Sequence, residues 1–400
     1  MVHAAMLSRT PLIFEPEALQ MPLFASELET PAAIVDLDRM ARNLDTMAAY
    51  CALHGLSLRP HVKTHKAPRV AAEQMRMGAV GLTCATPREL EVMSEVSSDL
   101  LLAHPPVGMK VHRIMAIPHE VRLSVALDDM GVAEPLASVA CDAARVVNVL
   151  AEVDLGMHRV GVQSPADVVD LVAGISNLPG VRYDGILFYP GHIRDVVDRQ
   201  GDQLRRLEAD LGRVLEALHT ADLAPRVVSG GSTPIGYRIH EVSGVTEVRP
   251  GTYVYNDRTT AMMGACDWED CALTVLATVI STSVPGQAVI DAGSKALGRE
   301  PMPDITPSPS TPERSARGFG VLLDHPEVFV SRMSEEHGIL DLGHTDWQPQ
   351  VGEQVRVVPN HVCYVVNLFD TIYGMRDDVV ETHWPIAARG RDGDRPVWPR

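Results

Sequence analysis

The stretch Arg59-Pro60-His61-Val62-Lys63-Thr64-His65-Lys66 sets an amine among imidazoles and further cations. A free lysine has a pKa of about 10.4. Lys63 therefore acts as a nucleophile only if its surroundings favour the neutral amine, or if a carbonyl compound has already captured it as an imine. Two flanking histidines and a second cation push in the first direction. The same letters also describe a solvated basic face, and spacing alone does not separate the two. Lysine occurs only four times in 400 residues, at 63, 66, 110 and 295, and arginine fills the other basic positions. Retention of lysine for a task and a codon bias toward arginine both produce that pattern.

Four other segments carry usable groups. In Ser229-Gly230-Gly231-Ser232-Thr233 the glycines let backbone approach an anion, and the hydroxyls and amides can donate to a phosphate; a plain tight turn is the alternative. Arg249-Pro250-Gly251-Thr252-Tyr253 ends the next predicted strand and offers a further wall. Asp154-Leu155-Gly156-Met157-His158-Arg159 brings an arginine toward a phenolate or carboxylate, or else into an ordinary salt bridge. Tyr189-Pro190-Gly191-His192 offers an aromatic contact and a proton carrier, although a lone histidine is more often simply satisfied. In Pro359-Asn360-His361-Val362-Cys363 an imidazole and a thiol stand two residues apart, on one face if the segment is a strand. Thiolate and imidazole form a zinc-like set, but two local ligands cannot close a structural site. A metal there keeps open positions, as a Lewis-acid centre does. The alternative is a buried cysteine beside a surface histidine.

The elements around these segments alternate. Strands are predicted at 56–62, 80–83, 100–103, 123–127, 146–153, 183–188, 226–228 and 246–248, with helices between them, including 37–54, 136–144 and a long one over about 195–218. Eight such strands predict a TIM (β/α)8 barrel with the chemistry at the strand C-termini, and the surplus strand 32–36 joins another domain. After about residue 265 the pattern changes to strands at 273–281, 287–290, 328–331, 354–358 and 362–366. The expected division is an N-terminal segment 1–36, whose strand joins the second domain, a barrel over 37–264, and an all-β domain over 265–400. Residues 301–317, rich in Pro, Ser and Thr, read as a mobile surface loop.

Composition narrows the partners. A formal charge of -17 repels nucleic acid and anionic membranes, so a small-molecule ligand is expected. Six cysteines without a CxxC pair, no leader-like N-terminus and no long apolar run predict a cytoplasmic protein without disulfides.

Together these segments resemble the family of D-serine dehydratases and D-threonine aldolases, pyridoxal-phosphate enzymes with the alanine-racemase-like fold. The resemblance runs from Thr30-Pro31 to Phe369-Asp370 and includes Asp291-Ala292-Gly293-Ser294-Lys295 and Ser334-Glu335-Glu336-His337-Gly338. It implies that Lys63 is the cofactor lysine and that Ser229, Gly230, Gly231, Ser232, Thr233, Gly251 and Tyr253 lie in phosphate-binding segments. Arg159 and Tyr189 are the further cofactor contacts in this reading. It implies a metal on His361 and Cys363, with zinc ahead of manganese or magnesium, and a homodimer with its sites near the interface. Dehydratases of the family pair the metal-binding histidine with cysteine and aldolases typically with aspartate, so Cys363 points toward dehydration. The expected activity is elimination from a β-hydroxy D-amino acid such as D-serine to a keto acid and ammonia, with Lys63 as base. Retro-aldol cleavage to glycine and an aldehyde, with His192 assisting, is the alternative; a racemase and a non-enzymatic pyridoxal-phosphate carrier stand behind it.

Overall fold

In the computed structural model, which describes residues 23–302 and 317–390, the alternating elements form a ring of eight parallel strands. Their order is Ser57–Leu58, Glu247–Val248, Val227–Gly230, Val181–Leu187, Val147–Glu152, Arg122–Leu127, Asp99–Leu102 and Leu82–Cys84. A parallel bridge between His61 and Thr83 joins the last strand to the first. The strands are short and apolar because helices cover them outside and side chains fill them inside. The expected barrel is the fold.

The first strand is shorter than predicted. Its ladder ends at Leu58, Pro60 has no N–H to extend it, and residues Val62–Thr64 wind into a 3-10 turn that carries Lys63. Helix Leu37–His54 has its predicted limits: the Asp36 carboxylate caps its start by accepting from the Arg39 amide, and Gly55 at φ 65° ends it. Helix Met130–Asp142 begins six residues before the predicted position, and Pro135 lies inside it.

The surplus strand Ala32–Asp36 leaves the barrel, pairing antiparallel with Leu273–Ser281 and parallel with Thr371–Arg376. These three strands form the middle of a ten-stranded second sheet, which also holds Gln287–Ile290, Gly338–Asp341 and Gln354–Pro359. Residues Val362–Val366, read as a strand, form a short helix. The β-branched run suggested a strand, but the Val362 amide donates to the Asp257 carboxylate at 3.2 Å and starts a turn. His361 and Cys363 therefore do not share a strand face: His361 is the extended N-cap and Cys363 lies in the first turn. Of the Pro/Ser/Thr-rich stretch, 303–316 lie outside the described residues. No helix among the described residues is long and apolar enough to cross a membrane.

Candidate active site

A cavity of about 640 Å³ opens at the C-terminal ends of the barrel strands. Successive strand-end loops contribute Lys63, Glu152, Tyr189, Gly231 to Thr233 and Arg249, and the second sheet contributes His361. Of the four lysines only Lys63 lines it. Lys66, at φ 51°, turns away to donate to Asn367 Oδ1 at 2.8 Å, and exposed Lys295 pairs with Glu336 at 2.8 Å.

The amine sits between an aromatic ring and a neutral imidazole. Lys63 Nζ lies 5.6 Å from the Tyr189 ring centroid, and the Arg159 guanidinium lies 4.9 Å from the same ring. Burial, and then the Lys63 charge, hold His61 far below the usual histidine range, so it adds no charge beside the amine. His61 Nδ1 accepts from the Lys63 amide at 3.4 Å and helps fix the turn.

The glycine-rich loop divides into two parts. Ser229 is fully buried beneath the cavity, donating to Glu247 Oε1 at 2.6 Å and accepting from Arg249 Nη1 at 2.6 Å. Gly230 is the point of closest approach, since a Cβ there would meet Phe188 Cζ at 2.1 Å. Gly231, at φ 106°, then turns the chain so that Ser232 and Thr233 face the cavity. The Ser232 hydroxyl is buried with no partner among the described residues. Across from it, Gly251 runs so close that a Cβ would meet Thr64 Oγ1 at 2.7 Å. A buried unpaired hydroxyl between two glycine-lined backbones fits a phosphate group. Tyr253 lies behind this wall: its amide donates to Thr233 Oγ1 at 3.3 Å, and its buried hydroxyl accepts from Gln74 at 3.0 Å. Arg249, lowered to about 10 by burial against the pull of Glu247 and Glu152, spans the floor from Ser229 to the Phe188 carbonyl.

On the opposite side, buried Asp257 accepts from His361 Nδ1 at 2.9 Å, which leaves Nε2 free for a ligand. The same carboxylate caps helix Arg258–Met262, whose Arg258 and Thr259 bond Asn360 at 2.9 and 2.7 Å, so three neighbouring contacts fix this loop. The Cys363 thiol donates to Thr64 Oγ1 at 3.3 Å, one residue from Lys63. Burial would raise this thiol, but the neighbouring His361 imidazole brings it down to about 7. No group of three or more His, Cys, Asp or Glu able to hold a metal occurs among the described residues. The donor set is thus one imidazole and one thiol, which fits an ion that keeps open positions.

The remaining candidate, His192, is exposed beside Gly156 and does not line the cavity. Motifs 291–295 and 334–338 bind each other instead: Ser294 and Lys295 amides donate to Ser334 and Glu335 carbonyls at 2.9 and 3.1 Å. A Cβ on Gly293 would meet Glu335 O at 2.4 Å. Sequence reasoning missed Asp257 and Glu152. For Asp257 the available signal was Asp257-Arg258-Thr259-Thr260, a helix-cap pattern; for Glu152 it was a lone acid at the end of an apolar strand.

Residues 35–259 match the alanine racemase N-terminal domain, and residues 272–375 match a serine dehydratase domain. The chain is 34% identical over 358 residues to D-threo-3-hydroxyaspartate dehydratase of Delftia sp. (strain HT23), covering 84% of this chain and 91% of that one. It is 29% identical over 375 residues to a D-threonine aldolase of Arthrobacter sp., covering 91% and 94%. The crystal structure of D-threonine aldolase from Filomicrobium marinum matches with a TM-score of 0.82 at 30% identity, covering 93% and 98%. The Delftia enzyme, solved as a cysteine-to-alanine variant in a metal-free form, matches with a TM-score of 0.78 at 31% identity, covering 91% and 98%. The chain is therefore a lyase that belongs to the family of D-serine dehydratases and D-threonine aldolases, with the alanine-racemase-like fold.

Proposed function

We propose that this chain is a pyridoxal-phosphate- and metal-dependent lyase of β-hydroxy D-amino acids that eliminates water from a D-serine-type substrate. The observation that carries this reading is that one cavity is lined both by Lys63 of the barrel and by His361 of the second sheet.

When bound, pyridoxal phosphate supplies an electron sink for the substrate α-carbon, and a divalent ion supplies a Lewis acid for its β-oxygen. Lys63 would hold the cofactor, and its amine is the base placed to take the substrate α-proton. Ser232, Thr233 and the amides around Gly231 bind the phosphate, while Tyr189 and Arg159 orient the ring end. His361 Nε2 and the Cys363 thiolate hold the ion, and Asp257 fixes the His361 tautomer. A thiolate ligand favours zinc over magnesium or manganese. Water lost in the elimination returns when the released enamine hydrolyses, so the products balance as a keto acid and ammonia. In this reading the chain works as a homodimer.

Cys363 supports dehydration over cleavage. The Delftia dehydratase has been solved with a histidine and, two positions later, a cysteine each replaced by alanine, the latter without metal. His361 and Cys363 have that spacing. Retro-aldol cleavage, the activity named for the aldolase relatives, uses the same groups, with His192 assisting from outside the described cavity lining. Incubation with D-serine, D-threonine and 3-hydroxy-D-aspartate decides between them: keto acid plus ammonia is expected, and glycine plus an aldehyde as the main products would overturn the dehydratase assignment.

A further inference from the structure

Glu152 ends the Val147–Glu152 strand, four places round the ring from the Lys63 strand in either direction, so it faces the amine from the far wall of the cavity. It is 4% exposed, yet its carboxylate has no hydrogen bond or ion pair among the described residues. The acids beside it are committed. Asp154 accepts from the Gly156 and His158 amides at 3.0 and 2.9 Å and from Gln163 at 2.9 Å, and Asp128 accepts from the Gly161 amide at 2.7 Å. Two cations face it, Arg249 from the floor and Arg159 from its own loop, while Asp128 and Asp154 oppose them. Lys63 and neutral His61 stand on the opposite wall. Burial outweighs the arginines and leaves the Glu152 carboxyl titrating at about 7.

An unpaired acid in a cavity that fits a phosphate creates a conflict of charge. The ligand brings about -1.5 to -2 charges and displaces water, and both effects disfavour a second anion on the wall. We infer that Glu152 takes up a proton when the organic phosphate fills the cavity, so that cofactor binding and neutralisation of this one side chain are coupled. The protonated carboxyl then donates a hydrogen bond to the ligand, and Arg159 and Arg249 are left to face the ligand's charge. By linkage, binding is tightest where Glu152 binds its proton readily and weakens as the pH rises through its free-state titration.

This inference rests on the pyridoxal-phosphate reading, and the test separates the two. The probe is 4-deoxypyridoxine 5'-phosphate, which lacks the aldehyde and cannot bond to Lys63. Its Kd is measured by fluorescence at several pH values for the wild type, Glu152→Gln and Glu152→Asp. From about pH 6.5 to 8 the wild-type Kd should rise about threefold to tenfold more than that of Glu152→Gln, and Glu152→Asp should restore the dependence. Titration of the probe's own phosphate is common to all three and cancels. Parallel curves for wild type and Glu152→Gln overturn the inference. Failure of the probe to bind wild type at any pH overturns the cofactor reading and the inference with it. Should Glu152→Gln not fold, calorimetry of the wild type in buffers of different ionisation enthalpy counts the protons taken up; none beyond the probe's own would overturn the coupling.

Discussion

The two ends of the barrel are both charged and do opposite things with charge. At the N-terminal end a cavity of about 180 Å³ is lined by three arginines and three acids. Arg226 grips Asp184 at 2.7 and 2.6 Å, and Arg122 joins Asp184 to Asp99 at 2.7 and 3.3 Å. Arg59 then joins Asp99 to Glu247 at 2.8 Å each. The backbone packs closely on Arg59: a Cβ on Gly81 would meet its Nη1 at 2.3 Å. At the other end Lys63, Arg159 and Glu152 make no ion pair within 4.0 Å among the described residues, although all three line one cavity. Paired charges at the first end satisfy each other and hold strands together; the charges at the second line the cavity that the proposed cofactor would fill. Glu247 links the two ends, binding Arg59 below and, through Ser229, ordering Arg249 on the cavity floor above.

If this contrast is right, mutations at the two ends should separate activity from stability. The largest effect on activity is expected from Lys63→Ala, a loss on the order of 10³-fold or more together with the yellow cofactor absorbance, with the melting temperature of the cofactor-free protein nearly unchanged. Lys66→Ala, read by the same absorbance, should keep the colour. Next, Asp257→Asn should weaken metal affinity about 10- to 100-fold, measured by chelator competition, because His361 loses the acceptor that fixes its tautomer. Metal removal should abolish lyase activity and leave the absorbance intact.

At the paired end, Asp184→Asn should cost about 1–3 kcal/mol in urea unfolding, since Arg226 and Arg122 lose their shared partner, while kcat changes little. A large fall in kcat at unchanged stability would break the contrast. The smallest effect is one of pH. Burial would raise the Asp184 carboxyl, but the hydrogen bonds of Arg226 and the charges of Arg226, Arg122 and Arg182 hold it below the usual range. A carboxyl depressed in the folded state stabilises the protein above its unfolded value, about 3.9, and that contribution fades as the pH falls through the folded value. Melting curves of wild type and Asp184→Asn should therefore converge below about pH 4.

Much of this architecture was legible in the residues because periodicity and turn chemistry agree there. The eight barrel strands and helix Leu37–His54 carry apolar spacing, caps and breakers that all point one way. In helix Met130–Asp142 the Pro135 residue hides the first turn from a reading of the sequence, because proline signals a helix start, yet the turns on either side of it continue the helix. Residues Val362–Val366 look like a strand, and only a carboxylate 105 positions away, Asp257, turns them into a helix. The site was half legible for the same reason. Lys63 and the glycine turn announce themselves by residue type and place, whereas Asp257 and Glu152 owe their character to burial and to neighbours from other elements, which no local pattern records.

Whether the amine at position 63 holds the cofactor in this cavity is read from protein incubated with pyridoxal phosphate, reduced with borohydride and mapped by peptide mass spectrometry. A single stable adduct is expected on the peptide containing Lys63, absent from Lys63→Ala. An adduct on Lys66, Lys110 or Lys295 in its place, or no adduct at all, would rule out Lys63 as the cofactor lysine.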